Sequence, residues 1–359
     1  MVSIDLYKDF YRGKRVLITG HTGFKGSWLA IWLHELGAEV IGVALDPQTD
    51  KDNFVLSGIG SKIKADLRAD IRDGEAMKRI FNEYRPEIVF HLAAQPLVRL
   101  SYDEPVDTWQ TNVMGTINVM EAFRQCPSAK VAVMITTDKC YENREMNHAY
   151  TEDEPMGGYD PYSSSKGACE IAISSWRRSF MNPAAYEKHG KSIASVRAGN
   201  VIGGGDWAKD RIIPDCISAI ETGQPIAIRN RHAVRPWQHV LEPLRGYLML
   251  AQQMWNNPTD YCEGWNFGPQ MDAVVSVWDV ASKLVECYGC GPLVDGSDPN
   301  AVHEANLLML DITKAGERLD WHPLMDIDQC IALTADWYKR YRIEDVYNLC
   351  VEEIKKYVR

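Results

Sequence analysis

The first half of the chain alternates short, β-branched apolar runs with longer segments whose apolar residues recur at helical spacing. Val16 to Thr19, Val40 to Ala44, Ile88 to Leu92, Val131 to Thr136 and Ile193 to Val196 read as strands buried on both faces. Between them, Ser27 to Leu36, Glu75 to Tyr84, Thr108 to Arg124 and Tyr162 to Phe180 read as helices, the first lying within an amphipathic segment from Phe24 to Leu36. This alternation predicts an α/β fold, a Rossmann-type doubly wound parallel sheet with helices on both faces. After about Gly199 the pattern becomes less regular and richer in Gly, Pro and Trp. A smaller C-terminal lobe is expected there, dividing the chain into 1–198 and, mainly, 199–359, with later elements at about 238–268 returning to the sheet.

Two stretches carry candidate chemistry. Gly20-His21-Thr22-Gly23-Phe24-Lys25-Gly26 follows the first strand and opens the first helix. Gly20 permits the tight turn, Gly23 lets backbone approach a pyrophosphate, Gly26 allows close helix-to-sheet packing, and the helix N-terminus offers N–H groups to anionic oxygens. With Thr22, Phe24 and Lys25 between them, these residues form the expected dinucleotide loop, and its place after a first strand is the context that gives the motif weight. Asp46, about twenty residues beyond Gly26, would accept from the adenosine ribose hydroxyls and repel a 2′-phosphate, which favours NAD over NADP. Because it stands past the expected strand end, a solvated loop aspartate is the alternative reading. The second stretch, Tyr162-Ser163-Ser164-Ser165-Lys166, places a phenol and an ammonium one helical turn apart, so that the cation would lower the phenol pKa and make it a base near neutral pH. Alone such a pair is ordinary; with the glycine loop it points to a nicotinamide-dependent enzyme.

Composition narrows the class. A 359-residue chain can bury a full core, and a formal net charge of −10 with pI near 5.4 argues against a nucleic-acid footprint. Nine cysteines without an even framework, no signal peptide and no apolar run of membrane length lead us to expect a cytoplasmic enzyme without a membrane partner. Cys287-Tyr288-Gly289-Cys290 has metal-like spacing but no second Cys or His pair at zinc-finger distance, so no metal is expected.

Further segments complete a resemblance: Ala69-Asp70-Ile71-Arg72-Asp73, His91-Leu92-Ala93-Ala94, Thr111 to Thr116, Arg197-Ala198-Gly199-Asn200-Val201 and Trp265-Asn266-Phe267-Gly268-Pro269. With the glycine loop and Tyr162/Lys166, these resemble the extended short-chain dehydrogenase/reductases and, within them, the nucleotide-sugar 4,6-dehydratases, over nearly the whole chain. The resemblance implies a tightly held, catalytic NAD, with Asp70 and Ile71 at the adenine, Leu92, Ala93 and Ala94 along diphosphate and ribose, and Asn112 in support. It also implies a homodimer built on the helices at Thr108 to Arg124 and Tyr162 to Phe180.

Where those dehydratases typically carry Thr-Asp-Glu, this sequence reads Thr137-Asp138-Lys139. That variant, with Gly204 to Asp215, Arg235-Pro236-Trp237-Gln238-His239-Val240 and Val302-His303-Glu304-Ala305, resembles the branch that takes CDP-glucose. The implied reaction is loss of water from CDP-glucose to give a 4-dehydro-6-deoxy sugar, an early step toward the deoxysugars of surface polysaccharide. Oxidation at C4 must come first, to acidify the C5 proton. Tyr162 would take the C4 hydroxyl proton and Thr137 would hydrogen-bond the C4 oxygen. Lys139 occupies the place of the C5 base and Asp138 that of the C6 acid. Lys139 would serve as a neutral amine, or stay charged and stabilise the enolate while Asp138 or a water moves protons, or be a solvated loop lysine. Gln95, Asn200, Arg211, Arg235 and His303 are the implied substrate contacts, the arginines suiting diphosphate. Trp207, Trp237 and Trp265 would stack on a base or, more simply, pack. A nucleotide-sugar 4-epimerase, a dehydratase for dTDP-, GDP- or UDP-sugars, and a non-catalytic dinucleotide sensor are the competing readings. Asp138-Lys139 speaks against the epimerase and the Tyr162/Lys166 pair against the sensor.

Overall fold

The structure is a computed structural model that describes residues 5–144, 146–231, 233–270, 274–297 and 308–358. A seven-stranded sheet is built from β1 (Arg15–Thr19), β2 (Glu39–Ala44), β3 (Ala65–Arg68), β4 (Ile88–His91), β5 (Val131–Ile135), β6 (Ser192–Ala198) and β7 (Gly264–Phe267), in the order β7-β6-β5-β4-β1-β2-β3. Every neighbouring pair is parallel. Alternate residues enter opposite cores: Val16, Ile18, Ile88, Phe90, Val131 and Val133 on one face, Leu17, Ile41, Val89, Ala132 and Met134 on the other. Burial on both faces is what makes these strands read as continuous apolar runs. Strand order reverses between β1 and β4, and ligands of such sheets lie at the carboxyl ends beside that reversal.

Four helices matter to the site: α1 (Phe24–Glu35), α2 (Gly74–Tyr84), α3 (Gly115–Gln125) and α4 (Pro161–Ser179). The start of α4 is set locally. Asp160 accepts from the Ser163 N–H at 2.9 Å and from its hydroxyl at 2.6 Å, and Pro161 takes the first helical position. Such a cap contributes about 1 kcal/mol and fixes where Tyr162 emerges.

Three expectations are corrected. The segment from Phe24 to Leu36 is not amphipathic in place: Gly26 to Leu33 are all buried, because α1 is covered by the sheet on one side and by the C-terminal helix Val346–Tyr357 on the other. Trp32 meets Tyr357 edge-on at 6.0 Å, and the Trp28 indole donates to Gly204 O at 2.9 Å. The terminal helices Ile327–Arg340 and Val346–Tyr357, placed in the C-terminal lobe by the sequence pattern, thus share the core of α1. The helix expected from Thr108 begins at Pro105 and is interrupted by a π-turn at Gln110–Met114 before α3. β3 had no counterpart in the sequence reading.

The C-terminal half supplies strands at Asn200–Ile202, Val234–His239 and Val274–Ser276, which form a three-stranded sheet, and the helix Ile212–Thr222. Among the described residues, no helix is long and apolar enough to cross a membrane.

Candidate active site

A cleft of about 1590 Å³ runs over the carboxyl ends of the strands. That exceeds the few hundred to roughly 1,000 Å³ of a single small-molecule pocket, so two ligands can lie end to end. Its walls carry Lys25, Arg99, Lys139, Arg144, Arg211 and Arg235, side chains that suit phosphate groups, interspersed with aspartates such as Asp46, Asp70, Asp206 and Asp210.

The glycine loop is built for close approach. Gly20 has φ +76°, and a Cβ there would lie 2.7 Å from Ala93 N. The β1 and β4 ends meet at this point, with Leu92 N–H donating to Thr19 O at 3.1 Å and Ala93 N–H to Thr19 Oγ1 at 3.2 Å. A Cβ on Gly26 would sit 2.0 Å from Gly20 O, so only glycine lets α1 approach the turn. Gly23 caps α1 without a side-chain acceptor, and no acidic residue stands in its first turn. The first N–H groups of α1 are therefore available to an anion, and the residues present fit a dinucleotide diphosphate. Thr22 donates to Leu45 O at 3.0 Å, and Phe24, Ala94 and Ile71 line the same cleft. Lys25 is held down to about 8, first by removal from water and then by the charges of Lys166 and Arg211.

Asp46 and Asp70 both reach the cleft, and both are already engaged. Asp46, 86% exposed, accepts from Arg68 Nε at 2.9 Å, while Asp70 accepts from Arg72 through its backbone N–H at 2.8 Å and its guanidinium. Asn112 is not on the wall. Buried in the π-turn, it donates to Gln95 O at 3.1 Å and Ser165 Oγ at 2.9 Å and accepts from Gln95 N–H at 2.8 Å, so it supports the wall from behind. Gln95 lines the cleft, but its amide turns to Thr108 and Leu97.

At the centre, Tyr162 is 7% exposed and Thr137 and Lys139 line the cleft beside it. Burial raises the Tyr162 phenol well above its ordinary value; a hydrogen bond with Thr137 and the charge of Arg211 lower it, and Asp138 and Asp160 raise it. The buried Lys166 ammonium donates to Ile135 O at 3.3 Å, at the end of β5. Burial lowers the Lys166 pKa. Asp138 is 1% exposed; its Oδ1 accepts from Thr137 Oγ1 at 2.9 Å and Lys139 Nζ at 3.3 Å, and its Oδ2 has no hydrogen-bond partner among the described residues. Lys139 Nζ also donates to Asn200 Oδ1 at 3.4 Å.

Arg211 is paired with Asp206 at 2.8 Å and Arg235 donates to Val234 O at 3.0 Å, both on the cleft. His303 lies outside the described residues. Trp265 is fully buried in the core and donates to Tyr261 O; Trp207 and Trp237 edge the cleft, Trp207 packing on Tyr338 and Tyr341. Arg99, Arg144 and Arg229 were missed from the sequence, where nothing marks them; Arg99 reaches the cleft from the short helix Val98–Asp103, Arg144 from a loop and Arg229 from just past the strand Ile226–Ile228.

The family model described as GDP-mannose 4,6 dehydratase matches residues 17–334. The chain belongs to this family. Within it, this member is 49% identical over 354 residues to a CDP-glucose 4,6-dehydratase of Salmonella typhimurium, covering 98% of both chains. Two solved structures share the fold of this dehydratase-family chain. One is a UDP-glucose 4-epimerase of Thermotoga maritima with UDP-glucose (25% identity, TM-score 0.74, 91% of this chain and 99% of that one). The other is MoeE5 with UDP-glucuronic acid and NAD (26%, TM-score 0.73, 91% and 99%).

Proposed function

We propose that the protein is an NAD-dependent hydro-lyase that converts CDP-glucose to CDP-4-dehydro-6-deoxyglucose and water, feeding deoxysugars of surface polysaccharide such as O-antigen, in the cytoplasm. The observation that carries this reading is the contact of Lys139 Nζ with Asp138 Oδ1 at 3.3 Å beside Tyr162, an acid–base pair that a 4-epimerase does not need.

Bound NAD, held at Gly20–Gly26, Asp46, Asp70 and Ala93, supplies reversible oxidation at C4. Tyr162 accepts the C4 hydroxyl proton, and Thr137, hydrogen-bonded to it, fixes the C4 oxygen. Lys139 and Asp138 take the places of the base and the acid that the elimination requires. Asp138 is buried and accepts from the Thr137 hydroxyl, so passing a proton to the C6 hydroxyl along that contact requires the hydrogen bond to reverse. Arg211, Arg235 and Asn200 take the diphosphate. With CDP-glucose deuterated at C4, the label is expected at C6 of a 4-keto-6-deoxy product, and dTDP-, GDP- and UDP-glucose are expected to turn over more slowly. Label kept at C4 of an epimerised sugar would overturn the assignment.

A homodimer is part of the same proposal. The helical segment from Pro105 through α3 packs beside α4, and between them they expose Val106, Trp109, Met114, Ile171 and Phe180. Large apolar side chains exposed on adjacent helices mark an interface, and a second copy covers them here. Trp109→Glu is expected to sediment as a monomer where the parent sediments as a dimer; a parent that is monomeric at micromolar concentration would refute this.

A further inference from the structure

Beneath the active site, Glu170 and Arg197 form a buried ion pair, with Arg197 Nη2 donating to Glu170 Oε2 at 2.8 Å. Its remaining contacts fall on both ends of the loop that carries Thr137, Asp138 and Lys139. On the near side, Thr136 Oγ1 donates to Glu170 Oε1. On the far side, Arg197 Nη1 donates to Tyr141 OH at 2.6 Å and Glu152 O at 2.9 Å, with the guanidinium 5.0 Å from the Tyr141 ring. Ser195 Oγ adds a bond to Glu170 Oε2 at 2.7 Å, and Tyr141 OH donates onward to Asn266 Oδ1 on β7 at 2.8 Å. Glu170 sits on α4, one turn beyond Lys166.

We propose that Glu170 and Arg197 are positioning residues: a clamp that grips the 137–140 loop at both ends and holds it at a fixed distance from the Tyr162/Lys166 helix. The chemistry divides its groups between these two elements, Thr137, Asp138 and Lys139 on the loop, Tyr162 and Lys166 on the helix. Slippage of an ångström between them would leave each group intact and the constellation useless. A buried pair is a poor source of stability, since well-packed apolar replacements are often as stable or more so. A precise geometry is a reason to keep it.

The carboxylate also acts on Lys166. That ammonium is faced by Glu170 and Cys169 from α4, by Cys140 from the loop, by His91 from β4 and by Lys25 from α1. Glu170 is charged and raises it, both cysteines are held as thiols by burial, and His91 is neutral. Removing Glu170 therefore lowers the Lys166 pKa.

The clamp rests on the dehydratase reading, and its test separates the two. In holoenzyme acting on CDP-glucose, Glu170→Leu/Arg197→Met is expected to melt within a few degrees of the parent. Its kcat should nevertheless fall at least ~10-fold with KM within ~3-fold. Thr136→Val/Tyr141→Phe, which leaves the ion pair in place, should lower kcat several-fold with KM again within ~3-fold. A folded first variant with parental kcat overturns the clamp; if that variant does not fold, parental kcat in the second does so. A parent inert toward CDP-glucose overturns the underlying reading instead.

Discussion

Tyr162→Phe is expected to fold and bind NAD as the parent does, yet to turn over CDP-glucose ~10²–10⁴-fold more slowly, the usual contribution of a positioned acid–base group. The substitution removes one oxygen from a buried site and conserves the ring, so little packing is lost. What it removes is a phenol whose environment opposes ionisation. Burial raises it first, and the Asp138 and Asp160 carboxylates add to the rise, against only the Thr137 hydrogen bond and Arg211. A base in that setting needs further positive charge close by at the moment of reaction, which the buried Lys166 ammonium, one turn along α4, and a bound nicotinamide cation would supply. The Lys166 bond to Ile135 O also ties α4 to the end of β5. The check is kcat alongside NAD titration and a thermal melt. Near-parental turnover by a folded, NAD-saturated Tyr162→Phe enzyme would move the C4 base elsewhere.

Legibility in the sequence followed locality. β1, the glycine loop and α4 announce themselves because each depends on neighbours in the chain: an apolar run, glycines at fixed offsets, an Asp-Pro start. β3 does not, since Ala65-Asp66-Leu67-Arg68 is an edge strand half open to solvent and has no β-branched residue to mark it. The burial of α1 on both sides was illegible for a related reason. Its polar positions are few, but that the covering partner would be a helix more than three hundred residues later is a tertiary fact. The π-turn at Asn112 has no signature in composition; it is over-determined by bonds from Asn112 to Gln95 and Ser165. The site shows the same division. Tyr162 and Lys166 are recognisable by spacing, but the bond from Lys166 to the β5 carbonyl of Ile135 is a tertiary fact. Glu170 and Arg197 belong to different elements, and their pairing across both ends of one loop exists only in three dimensions.

Lys139→Met is expected to stop water loss while C4 oxidation survives, a drop in dehydration of ~10²–10⁴-fold. Lys139 stands where the commoner Thr-Asp-Glu pattern has its carboxylate base, and its Nζ lies between Asp138 Oδ1 at 3.3 Å and Asn200 Oδ1 at 3.4 Å, at the cleft wall. Methionine keeps the length and the apolar stem and removes the group that takes the proton. Acid-quenching a single turnover should then yield the 4-keto hexose with its C6 hydroxyl intact, in amounts limited by enzyme. Lys139→Glu should recover part of the elimination, because a carboxylate at that position can accept the C5 proton, although it meets Asp138 as a like charge and its recovery is accordingly incomplete. The same pair of variants distinguishes the two roles open to the lysine. A base is replaceable by a carboxylate, whereas a cation that stabilises an enolate is not, and reversing its charge would slow elimination below the Met level. A Lys139→Met enzyme that dehydrates at nearly the parental rate would show the lysine to be a bystander and shift the base to Asp138 or a bound water.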